Sequence, residues 1–520
     1  MKNTWTSNNT DMKVNLLADI HEILKKYYGY DSFRKGQEDI INSLISGRDT
    51  LAVMPTGAGK SLCYQIPALC LEGITLVISP LISLMQDQVR TLISMGIRGA
   101  YLNSSLTPRQ IELAIQNAKN GTYKIIYVAP ERLETPSFLD FACNQNIPLI
   151  AVDEAHCISQ WGHDFRPSYT RIADFIKKLP KRPVIAAFTA TATNIVKSDI
   201  INQLELKKPF SMSLGFDRQN LYFGVYTPVN KEQFLINYIK NHPDSSGIVY
   251  CQTRKFVDEV ANTLQENNIS ALPYHAGMSD ENRAANQNSF IYDKVNVIVA
   301  TNAFGMGINK PDVRYVIHYN MPFNIEDYYQ QAGRAGRDGE PAECLLLYCS
   351  RDVKINEFLI RKTNENDDIN PAELQKHINI QLEKLKLMTY YSASTATCLR
   401  KRILNYFGEK YIPPCNNCSY CNKQKETSYK KITAYPSKKT FEIDSGLLER
   451  LKKLRVSLAN RFGVPTYSVF HERTLQELAA YCPTNFNELS QIYGLGEVKI
   501  NRYGQDIIDE IKKYKNEKTQ

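Results

Sequence analysis

A glycine-rich loop at residues 55–61, Pro-Thr-Gly-Ala-Gly-Lys-Ser, is the first segment whose residue types suggest chemistry. Small residues let backbone N–H groups approach a triphosphate at a helix N-terminus, a lysine can reach the β and γ phosphates, and a serine can ligate Mg²⁺. Met54 stands where the strict motif has glycine, so the match is to a relaxed form, and a plain glycine-rich turn is the alternative. The spacing predicts an ATP site formed by Thr56, Gly57, Ala58, Gly59, Lys60 and Ser61.

Two adjacent carboxylates, Asp153 and Glu154, follow an apolar run at residues 149–152. Ligands of parallel sheets bind at the carboxyl ends of the strands, and neighbouring side chains at a strand end diverge. Asp153 can therefore hold hydrated Mg²⁺ while Glu154 orients and deprotonates the attacking water. An exposed turn is the alternative. A phosphate-binding loop in the same predicted sheet favours the catalytic interpretation.

Residues 328–339 place Arg334 and Arg337 three positions apart among small residues. Small neighbours let a guanidinium group reach across a cleft, where charge developing on a γ phosphate favours a planar donor. Either arginine is therefore a candidate arginine finger. The alternative is the start of a surface helix.

A cysteine cluster lies at Cys415, Cys418 and Cys421. Four thiolates form the closed tetrahedron of a structural Zn²⁺ site, which can clamp a segment that buries too little apolar surface by itself. By spacing alone, the fourth ligand is Cys398, Cys349 or His377. Reduced thiols without metal and an iron–sulfur cluster are the alternatives.

Two series of β-branched runs, each followed by helix-like sequence, must position these residues. Such alternation predicts two parallel α/β sheets, divided near residues 210–225. The chain then becomes helical at 371–392, and residues 447–514 predict a small helical bundle. The first strand series is predicted at 51–54, 74–79, 124–129, 149–152 and 184–189, and the second at 247–251, 271–275, 295–300, 314–319 and 343–349.

Length and composition describe a multidomain protein of ordinary polarity. The 520 residues are 43% hydrophobic and 22% charged, no apolar run reaches 18 residues, and residues 1–13 lack the apolar core of a signal peptide. We therefore expect a cytoplasmic protein with reduced thiols and no membrane contact. The net charge is +9, and residues 422–443 carry six Lys against two Glu. That basic segment predicts contact with a polyanion or, alternatively, a solvated surface.

Taken together, these motifs resemble those of superfamily 2 helicases and, among them, the RecQ family of DNA helicases. The resemblance covers residues 28–421, and residues 447–514 are similar to an HRDC domain. It implies that Gln37 reads the adenine edge between Tyr30 and Arg34, and that Cys398 is the fourth zinc ligand. Segments 79–88, 189–193, 250–254, 274–277 and 300–308 resemble motifs that track the DNA strand and couple it to ATP.

Residues 157–166 resemble the aromatic-rich loop of the RecQ family. Aromatic side chains can stack on unpaired bases, while basic ones can contact phosphate or transmit strand occupancy to Glu154. The alternative is that the aromatic residues anchor the loop in a core. The predicted nucleic-acid contacts are Ser159, Gln160, Trp161, His163, Phe165 and Arg166.

The fold class expected from the residues and the resemblance is α/β. Two RecA-like parallel α/β lobes (1–212 and 213–350) precede a helical zinc-binding module (351–421), a basic linker (422–443) and an all-α HRDC-like bundle (444–520). Only 25 residues separate Cys421 from Leu447. That interval is shorter than the roughly 50 residues of a compact domain, so the winged-helix domain usual in the family has no room.

The function implied is a 3′–5′ DNA helicase that uses ATP, Mg²⁺ and one structural Zn²⁺ in DNA repair and recombination. Its expected partners are single-stranded DNA, duplexes or forks and single-strand-binding protein, and it is expected to act as a monomer, at the nucleoid if bacterial. The alternatives are an RNA helicase and an ATP-switched DNA-binding or annealing factor with weak unwinding.

Overall fold

The first lobe is built on a seven-stranded parallel sheet. The computed structural model describes residues 20–162, 164–304, 310–363, 371–393, 397–423 and 443–519. The strand order is β3-β4-β2-β5-β6-β1-β7. These strands are β1 (Thr50–Val53), β2 (Thr75–Ile78), β3 (Gly99–Leu102), β4 (Ile125–Val128), β5 (Leu149–Val152), β6 (Val184–Thr189) and β7 (Phe210–Ser213).

Helices cover both faces of this sheet, because parallel strands need crossover connections. Leu51 and Val53 enter one apolar cluster, whereas Ala52 enters the cluster on the opposite face. A π-helical turn at Leu24–Tyr28 and 3₁₀ turns at Pro130–Arg132, Ala155–Ile158 and Pro167–Arg171 complete the lobe. The α-helices are Gln37–Ile45, Lys60–Cys70, Ile82–Ser94, Pro108–Lys119, Pro136–Cys143, Ile172–Lys178 and Asn194–Gln203.

The second lobe repeats this architecture on a six-stranded parallel sheet in the order β10-β11-β9-β12-β13-β8. Its helices are Lys231–Lys240, Arg254–Glu266, Asp280–Ile291 and Ile325–Ala332. Its strands are β8 (Leu221–Tyr226), β9 (Ser246–Tyr250), β10 (Ala271–Tyr274), β11 (Val297–Ala300), β12 (Val313–His318) and β13 (Ala342–Leu347).

Each of the ten predicted strands is present, with bounds shifted by at most a few residues, which confirms the expected fold class. The prediction missed β3, β7 and β8. All three lie at sheet edges, and β3 and β7 are only partly buried, so neither shows the continuous buried run of a central strand. Gly99 and Gly224 further weaken the strand pattern of β3 and β8.

The zinc-binding module packs on the second lobe. Its helices are Ser350–Thr363, Pro371–Ala393, Leu399–Tyr406 and Ser419–Lys423. Phe407 stacks on Phe216 with ring centroids 4.2 Å apart, and Cys418 forms a parallel bridge with Phe223 of β8. The module therefore covers the otherwise exposed edge of the second sheet.

The C-terminal region is the helical bundle that the sequence predicts. Its helices are Ser445–Phe462, Thr466–Val469, Glu472–Tyr481, Phe486–Leu489 and Glu497–Thr519, and they enclose one apolar core. The bundle contacts the first lobe, where Gly494 N donates to Gly29 O at 3.1 Å. It contacts the second lobe, where Thr466 Oγ1 and Asp293 Oδ2 are 2.9 Å apart.

Three predicted features lie outside the described residues: His163, residues 305–308 of the segment 300–308, and residues 424–442 of the basic linker. Among the described residues, no helix combines the length and apolar character that crossing a membrane requires.

Candidate nucleotide and nucleic-acid site

The phosphate loop, residues 55–61, joins the carboxyl end of β1 to the helix Lys60–Cys70. β1 is buried along its whole length, so the loop begins at a rigid strand end. Gly57 (φ +85°) and Gly59 (φ +84°) both adopt the left-handed conformation that favours glycine. Lys60 Nζ lies 3.7 Å from Glu154 Oε1. The loop thus presents a helix N-terminus and a lysine at the same point, the arrangement that binds phosphate.

The acidic pair lies at the end of β5, two strands away from β1 in the sheet. Burial, and secondly the adjacent Glu154 carboxylate, raises the pKa of Asp153 to about 6, although Lys60 acts in the opposite direction. A buried carboxyl with a raised pKa close to a lysine is a suitable ligand for a divalent cation, which would displace its proton.

Glu154 is connected to the end of β6 through a buried histidine. Glu154 itself has a positive φ of 46°, which turns the chain sharply after the strand. His156 Nδ1 lies 3.4 Å from Glu154 Oε2 and 2.9 Å from Thr189 Oγ1. Thr189 begins the segment 189–193, which the sequence predicts to couple strand binding to ATP. The His156 side chain therefore links the segment 189–193 to Glu154 of the acidic pair.

The predicted adenine-binding residues lie against the phosphate loop. Gln37 Nε2 donates to Ala58 O at 3.0 Å, and its Oε1 accepts from the backbone N–H of Arg34 at 2.9 Å. Arg34 Nη1 donates to Gly57 O at 2.6 Å. Tyr30 lies close enough to Arg34 for that charge to influence its pKa, which burial raises, and its ring is 5.2 Å from the ring of Tyr493 in the C-terminal bundle. Gln37 and Arg34 therefore contact the phosphate loop directly, and Tyr30 lies near Arg34.

The arginine loop, residues 333–339, reaches this site from the second lobe. A Cβ atom placed on Gly57 would lie 3.4 Å from Cγ of Arg337, so the two loops are in contact. Burial, followed by the neighbouring Arg334 and Arg218 guanidinium groups, lowers the pKa of Arg337 to about 9. Three guanidinium groups within mutual electrostatic range would be stabilised by a polyanion such as a triphosphate.

Arg218 is a residue of this site that the sequence analysis missed. Its Nη1 donates to Thr56 O of the phosphate loop at 2.8 Å, and its Nη2 donates to Gly336 O of the arginine loop at 2.6 Å. It precedes β8 in an irregular segment that has no motif spacing, so no signal in the sequence marked it.

The aromatic loop, residues 157–166, divides into an exposed and a buried part. Trp161 is 36% exposed, Gln160 is exposed, and Phe165 and Arg166 are half-buried. Lys384 of the zinc-binding module donates to Trp161 O at 2.9 Å, and Lys376 Nζ lies 5.4 Å from the Trp161 ring. The indole is therefore not part of a core, and its backbone is fixed from the second half of the chain.

Ser159 and Arg166, both in the aromatic loop, are held by polar partners. Ser159 is fully buried, and its hydroxyl donates to Asp199 at 2.7 Å. Arg166 pairs with Asp164 and donates to Pro80 O at 2.9 Å, next to the segment 79–88. The Ser159 side chain thus anchors the loop and offers nucleic acid no surface in this conformation.

Four cysteines, Cys398, Cys415, Cys418 and Cys421, bring their Sγ atoms within 4.8 Å of one another. The Cys415–Cys421 and Cys398–Cys418 separations are 3.8 and 4.0 Å. A tetrahedral Zn²⁺ with bonds of about 2.3 Å has sulfur–sulfur separations of about 3.8 Å, so these residues fit the ion. Among the described residues, this cluster includes neither Cys349 nor His377, and it agrees with the ligand set that the family resemblance implied.

The C-terminal bundle adds residues near the predicted ATP site that could not be identified from the sequence. Tyr467 is 8% exposed and lies close enough to Asp87 of the first lobe and Arg337 of the second for both charges to influence its pKa, which burial raises. Together with Tyr493 on Tyr30, it places the bundle over the cleft between the lobes. Local sequence cannot reveal such a docking site.

Four family descriptions match successive parts of the chain. Residues 34–198 match the DEAD/DEAH box helicases, and residues 230–339 match the helicase conserved C-terminal domain. Residues 350–422 match the RecQ zinc-binding region, and residues 444–511 match the HRDC domain. Only residues 423–443 lie between the last two matches, which confirms that a winged-helix domain has no room there.

Relatives align with almost the entire chain. The ATP-dependent DNA helicase RecQ of Bacillus subtilis is 37% identical over 596 aligned residues, covering 96% of this chain and 99% of the relative. The protein of the same name from Pasteurella multocida is 35% identical, covering 96% and 94%. A protein of Acanthamoeba polyphaga mimivirus, named for ATP-dependent RNA helicase activity, is 40% identical and covers 95% and 86%.

Solved structures share the fold at low sequence identity. The Mycobacterium smegmatis helicase Lhr, bound to single-stranded DNA and AMP-PNP, matches with a TM-score of 0.52 and 18% identity over 72% of this chain and 57% of that one. Mss116p, bound to single-stranded RNA and AMP-PNP, matches with a TM-score of 0.55 and 16% identity over 78% and 92%. These likenesses concern the two-lobed architecture alone.

Proposed function

Because the chain belongs to the RecQ family of helicases, we propose that it couples ATP hydrolysis to 3′–5′ translocation on single-stranded DNA and to duplex unwinding. Family membership makes it an ATP-dependent DNA helicase. The polarity, the roles of individual residues and the cellular setting of DNA repair and recombination are the proposal.

One observation carries the proposed mechanism: the phosphate loop of one lobe and the arginine loop of the other meet at a single cleft, bridged by Arg218. ATP bound there would contact both lobes. Binding would draw the lobes together, and loss of the γ phosphate would release them. Alternate closing and opening would move one lobe along the strand relative to the other.

Each group at the cleft has a distinct proposed role. Lys60 contacts the β and γ phosphates, Glu154 orients and deprotonates the attacking water, and Arg334 or Arg337 stabilises the charge that develops on the γ phosphate. Ser61 and Asp153 would hold Mg²⁺, which when bound neutralises phosphate charge. The backbone N–H groups of Thr56, Gly57, Ala58 and Gly59 surround the phosphates.

The adenine is proposed to bind beside the phosphate loop. Gln37 would read the base edge, while Tyr30 and Arg34 would flank its faces. Two hydrogen bonds support this position, since Gln37 and Arg34 each donate to a phosphate-loop carbonyl. Base and phosphates would then bind to one continuous surface.

Single-stranded DNA is proposed to contact Gln160, Trp161, Phe165 and Arg166, and also His163, which lies outside the described residues. Trp161 has an exposed ring that can stack on a base. The binding of DNA to this loop can be transmitted along the chain to His156 and Glu154, which lie four and six residues before Gln160. The His156–Thr189 contact gives a second route, because Thr189 begins a segment assigned to strand binding.

The zinc site is proposed to be structural. Zn²⁺ bound to four thiolates would clamp the module against β8, and no position would remain open for catalysis. The hydrogen bonds of Cys398 and Cys415 lower the pKa of the Cys418 thiol, which favours the thiolate form that a metal requires.

We propose the domain boundaries given by the sequence, with lobes at 1–212 and 213–350, the zinc-binding module at 351–421, a linker at 422–443 and the HRDC-like bundle at 444–520. We also propose a monomer that acts in the cytoplasm, at the nucleoid if the source is bacterial, with single-strand-binding protein as a partner.

The proposal is tested by strand displacement on duplexes that carry a 3′ or a 5′ single-stranded tail. We expect unwinding with ATP and Mg²⁺ on the 3′-tailed duplex only, and none with Lys60→Ala. Strand binding without displacement would favour the second candidate, an ATP-switched binding or annealing factor, which the missing winged helix favours. Equal stimulation of ATP hydrolysis by RNA would favour an RNA helicase, the activity in the mimiviral relative's name.

A further inference from the structure

Arg218 bridges the two lobes through four backbone carbonyl groups. Its Nη1 donates to Thr56 O of the phosphate loop at 2.8 Å and to Gly333 O at 3.3 Å. Its Nη2 donates to Ala335 O at 3.0 Å and to Gly336 O at 2.6 Å. Gly333, Ala335 and Gly336 lie on either side of Arg334. One guanidinium group therefore fixes the arginine loop and the phosphate loop relative to each other.

The backbone around Arg218 is held by the zinc-binding module. Arg400 Nη1 donates to Arg218 O at 2.8 Å and pairs with Asp217, while its Nη2 donates to Leu221 O at 2.5 Å. Asn417 Nδ2 donates to Gln219 O at 2.9 Å and to Leu221 O at 3.0 Å. These bonds hold the backbone on both sides of Arg218 in place.

Arg400 and Asn417, which form these bonds, are close in sequence to the four cysteines. Arg400 is two residues after Cys398, and Asn417 lies between Cys415 and Cys418. Their positions therefore depend on the geometry of the cysteine cluster. A continuous set of contacts leads from the cluster through Arg400 and Asn417 to Arg218, and from there to the loops that would contact ATP.

From these contacts we propose that Arg218 is a positioning residue for ATP hydrolysis, and that the zinc-binding module sets its position through Arg400 and Asn417. The inference rests on the proposed function, since it takes Arg334 or Arg337 as the group that meets the γ phosphate. Arg218 itself bonds to carbonyl groups on each lobe. Its effect on the reaction therefore passes through the loops that it holds.

Lysine cannot replace arginine in this role. The planar guanidinium reaches four carbonyl oxygens in two directions, whereas an ammonium group has three donors at one point. Arg218→Lys keeps the positive charge but should let the arginine loop shift. A displacement of about 1 Å in a catalytic group can cost about 100-fold in rate, so we expect kcat for ATP to fall roughly 10- to 100-fold.

The first experiment separates positioning from nucleotide binding. Full-length parent and Arg218→Lys proteins would be compared for DNA-stimulated kcat and KM, and for affinity toward ADP alone and ADP with beryllium fluoride, which mimics the γ phosphate. We expect a lower kcat, weakened binding of the beryllium fluoride complex and unchanged binding of ADP. An unchanged kcat, or equal weakening of both nucleotides, would overturn the positioning role.

The second experiment tests the link to the zinc-binding module. Asn417→Ala and Arg400→Lys leave all four cysteines in place, so zinc content should remain one per chain. We expect both to lower kcat in the same direction as Arg218→Lys, and the Arg218→Lys/Asn417→Ala double variant to show a less than additive loss. Parental kcat in both module variants, with zinc retained, would overturn the link.

Arg182→Lys is the matched control. Arg182 pairs with Asp49 and donates to Glu205 O and Pro183 O, so it too is a half-buried arginine that holds backbone carbonyls, but within the first lobe and away from the proposed nucleotide site. It should lower the unfolding temperature without changing the kcat or the nucleotide preference. Absence of DNA-stimulated hydrolysis in the parent protein would refute the proposed function. Failure of this inference alone would instead leave the parent active and the variants unchanged.

Discussion

Replacing Trp161 by alanine tests whether the aromatic loop reads single-stranded DNA. Trp161 is 36% exposed, and Lys376 Nζ lies 5.4 Å from its ring, a cation–π distance worth about 0.5 to 1 kcal/mol at an exposed site. The loop backbone should stay in place, because Lys384 bonds to the carbonyl of residue 161, which alanine keeps. The variant should therefore fold with little loss of stability.

The expected loss is in the response to DNA. Stacking of one base on an aromatic ring contributes about 1 to 3 kcal/mol, which corresponds to roughly a 5- to 150-fold rise in the DNA concentration that half-saturates ATP hydrolysis. The assay is ATPase rate against single-stranded DNA concentration, with ATP affinity measured separately without DNA. We expect the ATP affinity to be unchanged.

Tyr390→Ala is the matched control for this prediction. Tyr390 is 63% exposed and has Arg402 at 4.5 Å from its ring, so it is also a surface aromatic residue next to a cation. Unlike Trp161, it lies outside the aromatic loop. Parental DNA stimulation and unwinding in Trp161→Ala, or an equal loss in both variants, would refute the stacking role.

Three further predictions concern the metals and the basic tail. Metal analysis should find one zinc per chain, and Cys418→Ser should lower that value and make the protein protease-sensitive, since a closed zinc site contributes folding energy; a zinc-free parent purified without chelators would contradict this. The raised pKa of Asp153, about 6, means that Mg²⁺ must displace a proton at lower pH. The free Mg²⁺ needed for half-maximal activity should rise about tenfold per pH unit below about 6 and level off above about 7, whereas a flat profile from pH 5 to 8 would exclude this role. Truncation after Cys421 should weaken DNA binding and make the slope of log K against log salt shallower by about 0.7 for every single-strand phosphate that the tail neutralises in the full chain; parallel salt lines with equal affinities would show that the lysines face only solvent.

The parts of the site that sequence could predict are those with local spacing rules. Residues 55–61 and the pair Asp153–Glu154 follow buried strands directly, and the strand ends of a parallel sheet determine where such residues meet. Three of the four cysteines are similar, because the two-residue spacings of Cys415, Cys418 and Cys421 restrict the geometry of their thiols, whereas Cys398 was identified only through the family resemblance. These features were therefore predictable without knowledge of the packing between domains.

The remaining parts depend on contacts between distant segments. Arg218 has no motif spacing, and its role appears only when both lobes are in place. Ser159 resembles its polar neighbours in sequence, yet the fold turns its hydroxyl toward Asp199. Tyr467 and Tyr493 lie over the cleft because the whole C-terminal bundle docks there, and amphipathic patterns show only which helix faces are apolar.

The docking of that bundle has a consequence for the order of assembly during translation. Lys25 Nζ donates to Ser490 O, and the two residues are 465 positions apart. Nearby, Gly29 has φ +69°, and a Cβ on it would lie 2.4 Å from Gly496 N, so backbone meets backbone without intervening side chains. At about 5 to 20 residues per second, synthesis of the intervening chain takes roughly 20 to 90 s. During that interval the segment that will dock against Lys25 and Gly29 has not yet been made, so the surface proposed to bind adenine stays accessible to the cell's nucleotide pool until the C-terminal bundle leaves the ribosome.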